Sequence, residues 1–387
     1  MFSDYLTESE RQLVEKARVF GEEHFTEENV SRWYKEGGIP GDVAEAYRCS
    51  DLGYLGFSPE RGGPDVSYTA QIAILAELTK SAGAIMPFQS QLLDFQVISR
   101  FANEEQMNMI LKRYEETSRP CFCTAISDAG SGSDALGYRT TVRKKDGKLV
   151  LSGEKVFVAN GQHTPYIMVS AKDLTEESDF ISAMPSFWLI PSSCEGVSAL
   201  PINKIGQKII PFAALRFDNV ELKPEWRLGT PYQALSQFQS ILDIGRCIIC
   251  AGSVGLAQAA FDDAVHHANA RKIRDRRIGD FQQIGLMLTE MNSMLINMKA
   301  HINHACRSIE QGSGAKLAVA LMKKYVPATA GEVANRAMQI FGGAGYTDSS
   351  RVGRIWIDCR GSQYAVGTDQ IMVNIASRAI LDKYAEQ

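Results

Sequence analysis

The chain has 387 residues, 45% of them hydrophobic and 22% charged, which is typical of a soluble globular protein with room for more than one domain. Its formal net charge of −4 argues against a nucleic-acid partner, because phosphates favour a basic surface. The N-terminal segment lacks a signal-peptide core, and no uninterrupted apolar run reaches the roughly 18 residues of a membrane span. The eight scattered cysteines fit reduced thiols better than a disulfide framework. We therefore expect a cytoplasmic protein without a membrane partner.

Residues 1–120 carry the spacing of helices. Thr7 and Glu10 form the pattern of a capping box ahead of an apolar run, which marks the start of a helix. Residues 59–65 form a loop rich in glycine and proline, and apolar residues recur at helical spacing over 70–78 and 92–101. This pattern predicts an N-terminal helical domain.

The pattern changes to short strands over residues 121–230. Strand-like apolar runs occur at 149–151, 156–158, 166–169 and 187–190, and turn signals such as Lys145-Asp146-Gly147 separate them. We predict a middle β domain, built as a sheet or barrel.

Residues 231–387 return to helical spacing. A buried helix is indicated around 248–257, and amphipathic stretches cover 281–311 and 315–340. The sequence thus predicts an α+β chain in which a helical domain, a β domain and a C-terminal helical bundle follow one another.

Four segments are rich in glycines, hydroxyls and amides. Such residues suit a site for a large planar or phosphorylated ligand, because glycine lets backbone N–H groups approach it closely. The segments are Ser127–Asp134 (SDAGSGSD), Lys155–Gly161 (KVFVANG), Gln339–Tyr346 (QIFGGAGY) and Gly367–Gln370 (GTDQ). In this order and spacing they resemble the acyl-CoA dehydrogenase family of flavoenzymes, whose domains also run helical, β and four-helix bundle.

The resemblance implies FAD as the cofactor. In the family, the segment matching Gln339–Tyr346 serves the cofactor of a neighbouring subunit. The implied cofactor-binding residues are Thr124, Ser127, Ser133, Phe157, Arg271, Gln282, Gln339, Gly343, Thr368 and Gln370. Taken singly, Ser127–Asp134 could be an ordinary turn and Phe157 a core residue.

The chain departs from the family pattern at several positions. Asp128 stands for a glutamate, and Ala159 for a threonine whose hydroxyl contacts the flavin. Arg274 and Asp275 replace a phenylalanine and a glycine in a segment that wraps the next subunit's flavin. This segment is either a modified pyrophosphate cradle, in which arginines counter the charge, or a solvated helix end.

The largest departure concerns the catalytic base. Family members carry a glutamate at the position of Val366 or, in some relatives, at that of Gly245, so both familiar base positions lack a carboxylate. Asp243 and Arg246 match residues that position the acyl-CoA, although a purely structural ion pair is the alternative. Tyr364, Asp94 and Asp243 are conceivable proton donors that the sequence does not place, and no catalytic residue is assigned.

No metal site is expected. Cys247 and Cys250 lie in an apolar helical run without a second pair of ligands. His301, His304 and Cys306 are typical of a helix face, and His266-His267 of a solvated pair.

The resemblance implies an oxidoreductase that acts on the α,β-carbons of an acyl-CoA, either as a dehydrogenase or as an enoyl-CoA reductase. Residues 164–169 and 378–384 are most similar to the branch that contains crotonobetainyl-CoA reductase. Two alternatives stay open, namely elimination without redox change, such as desulfination, and a base-lacking partner subunit of a heteromeric enzyme. The implied partners are an acyl-CoA thioester, an electron-transfer flavoprotein and copies of the same chain in a tetramer built as a dimer of dimers.

Overall fold

The computed structural model describes residues 2–134, 137, 139–175, 184–312 and 314–385. The N-terminal helices begin at the predicted capping box, where Thr7 Oγ1 accepts from the Glu10 N–H and Glu10 caps the Thr7 N–H in return. Among them α4 is buried on nearly all sides, because it packs between α1 and the C-terminal helices. The six helices are α1 (Glu8–His24), α2 (Glu27–Glu36), α3 (Gly41–Cys49), α4 (Tyr68–Ala82), α5 (Phe88–Phe101) and α6 (Glu104–Thr117).

The middle region is an eight-stranded sheet with the order β6-β7-β3-β2-β4-β5-β8, and β1 pairs with β4 in parallel. The runs 149–151 and 156–158 belong to one long strand, because bulges bend β3 without ending it. Asp146 and Gly147 adopt positive φ in the β2–β3 hairpin, as its turn signal predicts. The strands are β1 (Phe122–Ala125), β2 (Thr141–Lys145), β3 (Lys148–Ala159), β4 (Tyr166–Leu174), β5 (Pro185–Pro191), β6 (Val197–Ile202), β7 (Phe212–Leu222) and β8 (Arg227–Leu228).

The C-terminal region is a helical bundle in which α9 packs against all the others. A short fifth helix, α10, joins the four long ones and ties the bundle to the N-terminal domain. Its Asp358 accepts from the Tyr34 hydroxyl at 2.6 Å, and Arg354 pairs with Glu27 at 2.7 Å. The helices are α7 (Ala234–Ala270), α8 (Gln282–Glu310), α9 (Ala315–Phe341), α10 (Arg351–Gly361) and α11 (Asp369–Ala385).

Helix α7 is the central element of the bundle. By length and composition, its segment Ile241–Ala270 could cross a membrane, but 83% of its most apolar window is buried inside the protein. The apolar character of α7 is therefore that of a core helix, which contacts α4, α5, α8, α9 and α10.

Candidate functional site

A buried ion pair fixes the loop that follows β1. The Nζ atom of Lys155 lies 2.7 Å from the Asp128 carboxylate and donates to the Ile126 carbonyl at 2.6 Å, and the lysine has no exposed surface. Asp128 also accepts from the Arg139 and Thr140 N–H groups. Burial lowers the pKa of Lys155 to about 8 against the opposing attraction of Asp128. The carboxylate thus anchors the start of the loop to β3.

Beyond this anchor the loop is open on one side. Among the described residues, no heavy atom beyond the chain neighbours lies within 4 Å of a Cβ built on Gly130 or Gly132. The Ser131 hydroxyl between them is buried and has no hydrogen-bond partner among the same residues. An orphaned hydroxyl between two uncovered glycines fits a ligand that brings polar atoms, such as the phosphate or ring oxygens of FAD. The motif pointed to Ser127 and Ser133; Ser131 was missed, although its place inside Gly-Ser-Gly was a signal.

Phe157 leaves the sheet instead of joining its core. A register shift between Lys155 and Val158 forms a bulge, and within it Phe157 adopts φ +58° with 65% of its surface exposed. A bulky residue in the left-handed region is uncommon and costs free energy. The interpretation of Phe157 as a core residue is therefore wrong; the ring is free to stack on a planar ligand.

The two positions at which the resemblance implies a catalytic base, Val366 and Gly245, converge on one point of the bundle. A Cβ built on Gly245 of α7 would lie 3.4 Å from Val366 Cγ1, and 3.8 and 4.0 Å from the two methyl carbons of Leu93 on α5. The point is thus enclosed by aliphatic carbon from three elements. Neither Val366 nor Gly245 can accept or donate a proton through a side chain there.

Two buried cations hold the loop that carries Val366. Arg246 Nε donates to the Val366 carbonyl at 3.3 Å, and Lys323 Nζ donates to the carbonyls of Ser362 and Gly367 at 3.0 and 3.3 Å. They keep Val366 at φ +48°, a strained conformation for a β-branched residue. The Val366 N–H donates to no described residue. Sequence reasoning missed Lys323, because it lies in a helix and looks like a surface residue.

The three conceivable proton donors lie in different environments. Asp243 pairs with Arg246 at 2.9 Å, and burial raises its pKa despite that pair. Asp94 on α5 has a buried Oδ2 that pairs with no residue in the described part of the chain, and burial raises its pKa well above the usual range. Tyr364 is exposed, with Arg360 over its ring at 4.4 Å. Of the three, only Asp243 is connected to Val366 by hydrogen bonds, through Arg246.

The remaining residues implied by the resemblance fall into two distant groups. The sheet side of the site carries Thr124, Ser127, Ser133 and Phe157. On the bundle side, Thr368 lies two residues after Val366 and two before the exposed Gln370, and its hydroxyl oxygen accepts from the Ile371 N–H at the start of α11. Another set surrounds the far end of α7, where His267 stacks on Phe341 at 4.2 Å. From Gly245 to that end, α7 spans about 38 Å at its helical rise. The distant set is Arg271, Gln282, Gln339 and Gly343, and all four residues are exposed.

The segment after α7 is a hairpin and not a helix end. Strands β9 (Lys272–Ile273) and β10 (Arg276–Arg277) pair around Arg274, which has φ +54°. Arg277 pairs with Asp280, whereas Arg271, Lys272 and Arg274 have no ion pair with any described residue. The cations stay available at the surface.

The other clusters are structural. Cys247, Cys250 and Cys306 are buried free thiols, and His301 packs on Tyr325 at 4.7 Å. Within the described ranges, no three His, Cys, Asp or Glu side chains are arranged to hold a metal ion. The expected solvated pair was wrong for His267, which is partly buried on Phe341.

Comparison with known proteins identifies the family of the chain. Models of the acyl-CoA dehydrogenase N-terminal, middle and C-terminal domains match residues 7–116, 123–220 and 235–381. A probable acyl-CoA dehydrogenase of Escherichia coli K12, YdiO, is 31% identical over 98% of both chains. The crystal structure of an acyl-CoA dehydrogenase from Slackia heliotrinireducens is 41% identical, covers 99% of both chains and has a TM-score of 0.90.

More distant structures share the fold. Butyryl-CoA dehydrogenase from Megasphaera elsdenii is 24% identical with a TM-score of 0.88, over 97% of this chain and 99% of its own. The similarity therefore extends over the helical, sheet and bundle regions together. The chain belongs to the acyl-CoA dehydrogenase family of FAD-dependent acyl-CoA oxidoreductases.

Proposed function

We propose that this protein acts on the α,β-carbons of an acyl-CoA and works as an enoyl-CoA reductase. One observation carries the proposal: Gly245, Val366 and Leu93 enclose the point where relatives place a carboxylate. Dehydrogenation requires a base strong enough to remove a weakly acidic α-proton. Reduction requires only an acid for the α-carbon after hydride delivery, and water can fill that role. An aliphatic site therefore suits a reaction in which solvent water supplies the proton of the α-carbon.

The residues present fit FAD and an acyl thioester. Ser127, Ser131 and Ser133 would hold polar atoms of the cofactor, and Phe157 would cover a planar edge. Bound FAD supplies the hydride transfer of this chemistry.

The chain's own contribution at the reacting end is a preorganised donor. The unpaired Val366 N–H would polarise the thioester carbonyl, because Arg246 and Lys323 already fix its loop.

We also propose that the site is completed by a second copy of the chain. The group around Val366, beside Gly245, and the group at the far end of α7 are about 38 Å apart along the helix, so they cannot both contact one cofactor within a single chain. A tetramer built as a dimer of dimers would bring the exposed Arg271 and Gly343 of one copy to the cofactor of another.

An electron-transfer flavoprotein is the proposed redox partner. Support comes from a solved structure described as the electron transferring flavoprotein of Acidaminococcus fermentans. That structure is 26% identical to this chain, covers 97% of this chain and 98% of its own, and has a TM-score of 0.88.

The direction can be tested by an anaerobic spectrum of the purified protein, titrated with saturated and unsaturated acyl-CoAs. We expect a flavin band that saturated thioesters do not bleach and that returns when an enoyl-CoA meets the dithionite-reduced protein. Bleaching by a saturated thioester would instead favour dehydrogenation. Product formed without any redox change would favour elimination.

A matched pair of variants tests the vacated position itself. Val366→Glu should raise dehydrogenase turnover by roughly 10²–10⁴-fold, the usual contribution of a general base. Val366→Gln has nearly the same shape without a base and should give no gain. Equal dehydrogenase activities of the two variants would show that a carboxylate at position 366 does not act as the base.

The second candidate is a base-lacking partner subunit. It is favoured by the hairpin, in which Arg274 and Asp275 replace the family's phenylalanine and glycine while Arg271 and Lys272 stay unpaired. The test is FAD uptake by the purified protein. Uptake only in the presence of a glutamate-bearing relative would favour the partner-subunit function over the reductase function.

A further inference from the structure

Helices α5 and α7 meet along a line that begins at the vacated base position. Leu93 and Gln89 lie one turn apart on the same face of α5. Leu93 contacts the Gly245 position, and Gln89 covers Gly252, two turns further along α7. A Cβ on Gly252 would lie 2.5 Å from Gln89 Nε2 and 2.8 Å from Ile85 Cδ1, so Gln89 closes the space between the helices there.

The side chains between these two points are not fully covered. Leu93, Val366 and Ile249 are each only partly buried, although their neighbours along α7 and α5 are mostly buried. Ile249 lies four residues after Gly245 and three before Gly252, on the same face of α7. The partly exposed side chains form an apolar strip, about 10 Å long by the helical rise, that runs from Val366 to Gln89. We take this strip as the wall of the acyl cleft.

The hydrogen bonds around Gln89 fix which way its amide points. The Thr79 hydroxyl donates to the Leu75 carbonyl at 2.8 Å, so its oxygen acts as an acceptor. Gln89 must then present its Nε2 to Thr79, at 3.0 Å. Its Oε1 accepts no hydrogen bond from any described residue, although only 5% of the side chain is exposed. The Gln89 end of the strip therefore holds an acceptor without a partner among the described residues.

We propose that Gln89 determines specificity by ending the acyl cleft with a hydrogen-bond acceptor, so that the protein selects a short acyl chain with a hydrogen-bond donor, such as a hydroxyl, at its far end. This inference rests on the proposed function, because it takes the thioester carbonyl to lie at the Val366 N–H. A chain that ends in a methyl group would cover Gln89 Oε1 without giving it a hydrogen-bond donor. A site built for a donor rejects its methyl isostere on that ground.

Matched ligands test this on the holoprotein without turnover. Titration calorimetry under anaerobic conditions would compare 4-hydroxybutyryl-CoA with pentanoyl-CoA, which have equal numbers of acyl heavy atoms and end in a hydroxyl or a methyl group. The next two longer pairs locate the best length. In the best pair we expect the hydroxyl ligand to bind about tenfold more tightly. The wild-type ratio by itself decides the proposal if a variant does not fold.

Two variants on the same helix separate recognition from stability. Gln89→Met removes the acceptor with an unbranched side chain of similar length, and should abolish or reverse the preference for the hydroxyl ligand. Gln91→Met is the matched control, since Gln91 is equally buried but bonds to Gly53 and Tyr114 on the other side of α5. It should leave the ratio unchanged.

The outcomes distinguish this inference from the function on which it rests. Equal binding of both ligands at every length, or a hydroxyl preference that survives Gln89→Met, would overturn the role of Gln89 alone. If no acyl-CoA binds the flavin-loaded protein, the proposed function fails and this inference fails with it.

Discussion

The sheet side and the bundle side of the site treat charge in opposite ways. On the sheet side, a buried carboxylate and a buried lysine, Asp128 and Lys155, pair directly and hold the open cofactor loop. On the bundle side, the point between Gly245 and Val366 is lined by carbon atoms of Val366 and Leu93. Under the proposed function, charge is kept where it would position the cofactor and is absent where it would move a proton.

The bundle side still holds buried charged groups close to Val366. Arg246 and Lys323 stay buried just behind Val366 and bind carbonyl groups of its loop. Desolvated cations are costly unless they are hydrogen-bonded, so these bonds stabilise a backbone shape that presents the Val366 N–H. Under the proposed function, carbonyl activation would then persist without an acid–base residue at Val366.

The largest effect is expected from removing the Lys155 charge on the sheet side. Lys155→Met should lower the free energy of unfolding by about 3–5 kcal/mol, because it leaves the Asp128 carboxylate buried with only its neutral hydrogen bonds. Urea unfolding of the apoprotein measures this.

Lys148 offers the matched control, since it pairs with Glu221 at the surface of the same sheet. Lys148→Met should cost no more than about 1 kcal/mol. A loss as small for Lys155→Met would mean that the buried pair does not hold the loop.

A smaller change in stability is expected for glycine variants on the bundle side. Gly252→Ala should destabilise the protein by about 1–3 kcal/mol, since the new methyl group would meet Gln89 and Ile85 at less than 3 Å. Gly245→Ala places the methyl group in ordinary contact with Val366, so the better helix propensity of alanine should raise stability by up to about 1 kcal/mol. Thermal unfolding of both variants ranks them. The reverse order would contradict the close approach of α5 and α7 at Gly252.

The smallest effect concerns the strained aromatic residue of the sheet side. Phe157→Gly should stabilise the apoprotein by about 1 kcal/mol, because glycine adopts φ +58° without a Cβ penalty. The same change should weaken FAD binding several-fold, measured by fluorescence titration, if the exposed ring covers the cofactor.

Asn219→Gly is the control for Phe157→Gly, because Asn219 also has positive φ but lies in β7, away from the cofactor loop. It should leave FAD binding unchanged. An unchanged FAD affinity in Phe157→Gly would remove the stacking role.

The sequence predicted the three-part fold because periodicity is a local property. The capping box at Thr7, the amphipathic stretches that became α8 and α9, and the hairpin turn at Asp146-Gly147 all depend on residues close together in the chain. Short strands such as β6 and β8 escaped prediction, because their residues are selected by pairing with distant strands.

What the sequence determined by itself was the order of the motifs and the absence of a carboxylate at Val366 and Gly245. Only the tertiary structure decided that these two positions, 121 residues apart in numbering, share one aliphatic point, and that Lys323 supports the loop beside it. It also turned Phe157 outwards and left the Gln89 amide oxygen unpaired. The physical reason is that burial and hydrogen-bond partners are set by residues far away in the chain, which no local pattern records.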